Sequence, residues 1–246
     1  MGFDVAGKTV LITGANRGIG KSFLDHMLKA GAEKVYAGVR NPDAMTDVVE
    51  ASGGKVIAVQ LDLANADTIN SVAGSIDRID LVINNAGVLK VATPFSDDVF
   101  DSLDYEMDIN VKGLIRMARA FAPQLEKTSG VFVQLNSVAS LRNFADFATY
   151  CASKAAAYSI TQALRDLLQP KGVRVISVHP GPIMTDMGKS AGLEEVAESP
   201  AVVSEALLAA LASDDFHVFP DTMAKNFWQA YKTFAKGVVE SGASEG

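Results

Sequence analysis

Cysteine is almost absent from this chain of 246 residues: the single one, Cys151, has no partner for an internal disulfide, in keeping with a reducing compartment. Positive charge is also short. Lys and Arg number 22 against 29 Asp and Glu, a formal charge of −7, so a broad nucleic-acid face, which needs clustered basic residues, is not expected. No segment approaches the roughly 20 consecutive apolar residues of a membrane span. The N-terminus lacks the basic and apolar regions of a secretory signal, and Ala6 stands where a myristoylation motif needs Ser or Thr. A soluble, cytoplasmic protein with no membrane or nucleic-acid partner is the expectation. There is no repeat, low-complexity linker or charge block, and only Ser241 to Gly246 read as a loose tail, so residues 1–246 are taken as one domain.

What is present is a well-supplied core: 48% of residues are hydrophobic and 21% charged. Short apolar runs rich in β-branched residues predict strands over 8–13, 34–39, 55–62, 80–84, 130–137 and 173–179, with a short closing strand at 216–219. They show little polar alternation, as strands covered on both faces do. Helical stretches fall between them, near 18–30, 43–52, 65–76, 97–126 and 149–169, and a further amphipathic helix is expected over about 221–240. Repeated strand, helix, strand implies an α/β fold, a doubly wound, mostly parallel seven-stranded sheet with helices on both faces. Ligands of such sheets bind at the carboxyl ends of the strands.

Just past the first strand lies LITGANRGIGKS, residues 11 to 22. A nucleoside-triphosphate loop needs Gly, four residues, then Gly-Lys-Ser/Thr; Gly20-Lys21-Ser22 ends that pattern, but Ala15 occupies the first glycine's place. The dinucleotide fingerprint Gly-x-Gly-x-x-Gly is not met either, since the order is Gly14-x-x-x-Gly18-x-Gly20. In both readings the glycines let backbone approach phosphate at a helix N-terminus. At the end of the second strand, Val39 takes the position where a carboxylate would hold the adenosine ribose of NAD, and Arg40 follows it. Arg40 and Arg17 together would accommodate a 2′-phosphate, so NADP(H) is the expected cofactor. Charged hydrogen bonds of about 1.5–3 kcal/mol each make two of them worth roughly 100-fold or more in preference.

Tyr150-x-x-x-Lys154 occurs once and opens a predicted helix, where residues four apart share a face. A nearby ammonium favours the phenolate, so such a tyrosine is suited to exchange a proton with a carbonyl or alcohol oxygen near neutral pH. With this pair the ordered motifs Thr13-Gly14-x-x-x-Gly18-x-Gly20, Asn84-Asn85-Ala86-Gly87, Asn110, Ser137 and Pro180-Gly181 make the sequence resemble the short-chain dehydrogenase/reductase family in its compact form. The likeness runs from about Gly7 to Met187. That family's glycine loop has this variant spacing, which leaves Lys21 and Ser22 as the first turn of a helix.

The resemblance implies a Rossmann-type fold and a set of roles. Tyr150 is implied as general acid/base, Lys154 as the group that lowers its pKa and binds the nicotinamide ribose, Ser137 as the donor to the substrate oxygen, and Asn110 as holder of a proton-carrying water. Cofactor contacts fall on Gly14, Asn16, Arg17, Gly18, Ile19, Gly20, Arg40, Asp62, Leu63, Asn84, Ala86, Gly87, Tyr150, Lys154, Pro180, Gly181, Ile183 and Thr185. Ser140, Tyr105 and Tyr158 are assigned structural places.

A substrate lid is expected over about 182–200, and Val88, Leu89, Phe144, Phe147, Met184 and Met187 are expected to line an apolar pocket. No metal is expected. The implied activity is an NADPH-dependent carbonyl reductase, reversible as an alcohol dehydrogenase, on a hydrophobic ketone or aldehyde, aromatic ones included. The alternatives are a 3-oxoacyl-thioester reductase, against which the acidic balance argues, and a non-catalytic NADP sensor, against which the retained Ser137, Tyr150 and Lys154 argue. The C-terminal stretch from Phe216 to Glu240 departs from the commoner family ending, where a subunit interface often lies, which leaves a homodimer or a monomer open.

Overall fold

The computed structural model describes residues 2–241; the expected loose tail therefore lies, apart from Ser241, outside the described residues. Seven strands form one sheet: β1 (Thr9–Thr13), β2 (Lys34–Val39), β3 (Val56–Gln60), β4 (Leu81–Asn84), β5 (Val131–Leu135), β6 (Arg174–Val178) and β7 (His217–Val218). Their order is β3-β2-β1-β4-β5-β6-β7, and every neighbouring pair is parallel. The helices are α1 (Gly18–Lys29), α2 (Thr46–Ala51), α3 (Ala66–Ser75), α4 (Val99–Glu106), α5 (Gly113–Thr128), α6 (Ala148–Leu168), α7 (Asp186–Ser190), α8 (Pro200–Ala212) and α9 (Thr222–Phe234).

The strand sequences explain the two helical layers. Successive side chains point to opposite faces. Val10, Ile12, Leu81, Ile83, Val131, Val133, Ile176 and Val178 pack with Phe23, Leu24 and Met27 of α1 and Val203 and Leu207 of α8. The intervening Leu11, Val82, Phe132 and Val175 pack on the other face, against α3, α5 and α6 through Ile69, Leu114, Met117, Phe121, Leu125 and Ala157. The fold is the doubly wound, Rossmann-type sheet that the alternation implies. Its order reverses between β1 and β4, and a cleft opens there at the carboxyl ends of the strands.

Three elements differ from their sequence expectations. The helix expected over 97–126 is broken by a π-helical segment, Met107–Lys112, between α4 and α5. Such segments arise where an inserted residue widens one turn, often at a functional site. The lid region contains α7 and a short 3-10 turn at Glu194–Val196. Directly after it comes α8, for which the sequence showed no amphipathic pattern; PAVVSEALLAALA is apolar on nearly all sides, and periodicity cannot reveal such a helix. Its start is nevertheless orthodox: Ser199 accepts from the Ala201 amide and Pro200 takes the first position.

At the C-terminus Asp221 caps α9, and a second π-helical turn, Ala235–Val239, follows. Phe219, Phe227 and Trp228 pack with Val138 beside the sheet. Beneath them a buried chain of hydrogen bonds fastens this end of the protein: Tyr158 Oη meets His217 Nε2 at 2.6 Å and Tyr231 Oη at 3.1 Å. His217 Nδ1 lies 2.9 Å from Glu240 Oε1. Among the described residues no helix is long and apolar enough to cross a membrane.

Candidate active site

The cleft encloses about 570 Å³ and is lined by the glycine loop, the ends of β2 to β5, the start of α6 and the lid. Its floor is organised by Thr13 at the end of β1. The Thr13 hydroxyl accepts from the backbone amides of Asn85 and Ala86, both at 2.9 Å, and Asn85 Nδ2 donates to the Thr13 carbonyl at 2.8 Å. Asn84 does not face the cleft. It is buried, donating to Gln134 Oε1 at 2.7 Å and accepting from Thr13 at 3.3 Å, so it supports the turn from below while Asn85 lines the cleft.

Gly14, Asn16, Arg17, Gly18, Ile19 and Gly20 line one end of the cleft. Gly18 turns with φ of +54°, a conformation that side chains resist, and α1 begins there with no side-chain cap on its first amides. Gly20 has no room for a side chain: a Cβ would collide with the Gly14 carbonyl and lie 2.7 Å from Asn85 Nδ2. The loop thus offers bare backbone and the positive end of a helix of 12 residues, which suits a pyrophosphate. Arg40 lines the same end and is exposed, beside Val39, whose side chain is buried. Arg17 is not free: its Nη1 pairs with Asp186 Oδ2 of the lid at 2.9 Å. Asp62 and Leu63 border the cleft after β3, with Asp62 Oδ1 accepting from the Ala64 amide at 3.0 Å.

Ser137, Tyr150 and Lys154 meet on the opposite wall. Ser137 follows β5 and caps a short 3-10 turn; its hydroxyl accepts from the Ala139 amide at 3.1 Å and donates to the Pro180 carbonyl at 3.3 Å. Ser140 is turned away and accepts from the Ser137 amide at 3.1 Å, a bracing contact. Tyr150 and Lys154 share a face of α6, and Lys154 Nζ donates to the Leu135 carbonyl at 2.9 Å. That bond puts the ammonium over the Tyr150 ring, 5.7 Å from its centre.

Burial sets the protonation balance here. It raises the Tyr150 phenol above its ordinary range, with a hydrogen bond to Ser137 pulling it back. Burial also pushes the Lys154 ammonium down, to about 8. The sequence expectation that Lys154 lowers the tyrosine is therefore not met in the protein on its own, because burial disfavours the charged form of both groups.

Asn110 sits in the π-helical segment. Its side chain brackets Val88, accepting from the amide and donating to the carbonyl, each at 2.9 Å, and donates to Ser153 Oγ at 2.9 Å. Ser153 in turn donates to the Tyr150 carbonyl at 2.8 Å, so Asn110 ties the β4 loop to the helix that carries the tyrosine. Nearby, the buried Glu106 accepts from the Lys90 amide at 2.6 Å, and burial raises its carboxyl above the usual range.

Val88, Leu89, Phe144, Phe147 and Met187 line the cleft, as do Pro180, Gly181, Ile183 and Thr185. Met184 does not. It is 41% exposed, because its amide donates to the Glu198 carbonyl at 2.8 Å and that bridge turns the residue outward. Tyr105, Val196 and Met223 join the lining and were not anticipated; Tyr105 had been given a structural place. Among the described residues no group of His, Cys, Asp and Glu is arranged to hold a metal ion.

A parallel sheet reversing at β1 and β4, with a bare glycine loop at one end of its cleft and Ser137, Tyr150 and Lys154 at the other, defines a nicotinamide-dependent oxidoreductase. The sequence profile of the short chain dehydrogenases matches residues 8–195, and the chain belongs to that family. Bovine (Bos taurus) L-xylulose reductase is 31% identical over 193 residues, 78% of each chain. The NAD-dependent glycerol dehydrogenase of Listeria innocua serovar 6a is 30% identical over 203 residues, 80% of this chain and 78% of that one. A short chain dehydrogenase of Burkholderia cenocepacia J2315, solved in complex with NADP, superposes with a TM-score of 0.87 at 33% identity, covering 97% of this chain and 98% of that one.

Proposed function

We propose that this protein reduces a hydrophobic ketone or aldehyde with NADPH and oxidises the corresponding alcohol in the reverse direction. The observation that carries the reading is the placement of Ser137, Tyr150 and Lys154 on one wall of a cleft whose far end is the glycine loop.

The residues fit the cofactor along its length. Gly14, Asn16, Gly18, Ile19 and Gly20 would hold the pyrophosphate with backbone amides, and Asp62 and Leu63 would flank the adenine. Arg40 would meet the 2′-phosphate, with Arg17 joining it when released from Asp186. Asn85, Ala86 and Gly87 would support the middle of the molecule from the β4 turn. Pro180, Gly181, Ile183 and Thr185 would enclose the nicotinamide end, and Lys154 and Tyr150 would reach its ribose. The support for NADP over NAD is the absence of a carboxylate at Val39, the exposed Arg40 beside it, and the NADP found in the Burkholderia relative.

When bound, the nicotinamide supplies the hydride. The chain manages the proton. Tyr150 donates its phenolic proton to the carbonyl oxygen, and Ser137 donates a hydrogen bond to the same atom as charge gathers there. A phenol held in its neutral form by burial is in the state needed for the reductive direction. Lys154 and Asn110 keep the α6 wall and the β4 loop in register and give the replacement proton a polar route. Val88, Leu89, Phe144, Phe147 and Met187, with Tyr105, Val196 and Met223, make the substrate end apolar, which supports a less polar substrate than the sugar for which the bovine relative is named.

The test is consumption of NADPH and of NADH across apolar and aromatic ketones, aldehydes, ketoses and oxoacyl thioesters. Faster turnover with NADPH on the apolar carbonyls is expected. Preference for ketoses or thioesters would overturn the substrate assignment, and preference for NADH would overturn the cofactor assignment.

A further inference from the structure

Asp221 is buried, with 1% of its surface exposed, and it lies in the C-terminal stretch that no catalytic role has claimed. Each carboxylate oxygen is occupied. Oδ1 accepts from the Ala224 amide at 3.0 Å and so caps α9; Oδ2 accepts from the Gly181 amide at 2.7 Å. The second bond crosses 40 residues of chain to reach the loop that borders the cleft. Gly181 is closed in around it: a Cβ there would lie 2.6 Å from Asp221 Oδ1 and 3.1 Å from Met223 Cβ.

The Gly181 N–H belongs to the same peptide unit as the Pro180 carbonyl. A trans peptide is planar and its N–H and C=O point in opposite directions. Anchoring the N–H on Asp221 therefore aims the carbonyl back at the β5 end, where it accepts from the Val138 amide at 3.0 Å and from the Ser137 hydroxyl at 3.3 Å. A bond from an amide to a carboxylate is about twice as strong as a neutral one, and it polarises the peptide it belongs to. The Ser137 bond is long for O–H···O, which leaves the hydroxyl held in place yet able to swing onto a substrate oxygen.

We infer that Asp221 is a positioning residue for Ser137, acting through the Pro180–Gly181 peptide so that the C-terminal segment sets the hydroxyl that faces the substrate carbonyl. This rests on the reading of Ser137 as the donor to that oxygen.

The cap and the peptide anchor are separable. Asp221→Ser keeps an oxygen suited to cap α9 but is too short to reach the Gly181 amide, whereas Asp221→Ala removes both contacts. Four quantities are compared for the parent and the two variants: the thermal midpoint, the Gly181 amide signal and its exchange rate by NMR, the dissociation constant for NADPH, and the single-turnover rate of NADPH oxidation. For Asp221→Ser the expected result is a shifted, faster-exchanging Gly181 amide and a hydride-transfer rate lower by about tenfold, the scale of a lost hydrogen bond to a charged group.

The thermal midpoint should stay near the parent's, and NADPH binding and the substrate KM should change by less than about threefold. Asp221→Ala should show the same rate loss with an added drop in thermal midpoint. A folded Asp221→Ser with a transfer rate within about twofold of the parent overturns the inference, and so does a rate loss matched by an equal loss of NADPH binding. A parent that turns over no carbonyl defeats the functional reading instead, and an unmoved Gly181 amide in the variants then defeats the anchoring as well.

Discussion

Asp186→Asn should make the protein bind NADPH more tightly while leaving NADH alone. Arg17 of the glycine loop pairs with Asp186 of α7 at 2.9 Å, and the two side chains are 66% and 65% exposed. Any 2′-phosphate that engages Arg17 must first displace this carboxylate. A pair so open to solvent contributes about 0.2–1 kcal/mol, which converts to a factor of roughly 1.4 to 5 in the NADPH dissociation constant. Asn is nearly the same shape as Asp but carries no charge, so Arg17 is released without opening a hole. The loss of a negative charge from the first turn of α7 costs stability of its own, about 0.3–1 kcal/mol, and this falls equally on both cofactors. The ratio of NADH to NADPH dissociation constants is therefore the quantity to follow, by titrating the fluorescence of each reduced cofactor. It should rise by up to about fivefold in the variant at low salt, and the gain should shrink at ~0.5 M salt, where the screening length falls to a few ångströms. An unchanged ratio, or one that rises with no dependence on salt, would refute the competition between Asp186 and the phosphate.

Gly20→Ala should distort the loop itself, because the added carbon collides with the Gly14 carbonyl backbone and no rotamer can relieve it. A cost of about 1–3 kcal/mol is expected, seen as a thermal midpoint lower by several degrees together with weakened binding of both cofactors. Acid should destabilise the fold from just below neutrality. Burial holds the His179 imidazole down at about 3 and lowers His217 as well, while an unfolded histidine protonates near pH 6.5. Between those values the unfolded chain binds more protons, so stability is full above about pH 6.5 and is lost as pH falls, at up to about 1.4 kcal/mol per pH unit for each histidine. Urea midpoints measured from pH 7.5 to 4.5 should fall steadily; a flat profile would contradict the buried, neutral state of these rings.

Much of this was legible in the sequence because the signals were redundant. Each strand is a compact apolar run, and the strands and α1 begin and end within about two residues of where patterning put them, since apolar periodicity and turn residues mark the same boundaries. The glycine loop and the Tyr150 to Lys154 spacing are local, and a local motif survives without knowledge of packing. What escaped was non-local or non-periodic. The break at Met107–Lys112 lies inside an uninterrupted helical pattern, and α8 has no polar face to reveal it. Asn84 and Asn85 are adjacent and chemically identical, so only the register of β4 decides which is turned inward to Gln134 and which faces the cleft. Asp221 read as the start of a helix, which it is, but its bond to Gly181 depends on two segments meeting in space. The ion pair of Arg17 with Asp186 was hidden for the same reason.

The central claim is that Tyr150 delivers the proton to a carbonyl reduced at this cleft. It is tested most directly by mixing the NADPH-bound protein with its best carbonyl substrate in a stopped-flow instrument, for the parent and for Tyr150→Phe. The account predicts that the variant binds NADPH like the parent, within about twofold, and that hydride transfer slows by roughly 10²–10⁴-fold, the range for loss of a general acid. Transfer at the parent's rate in the variant would contradict it.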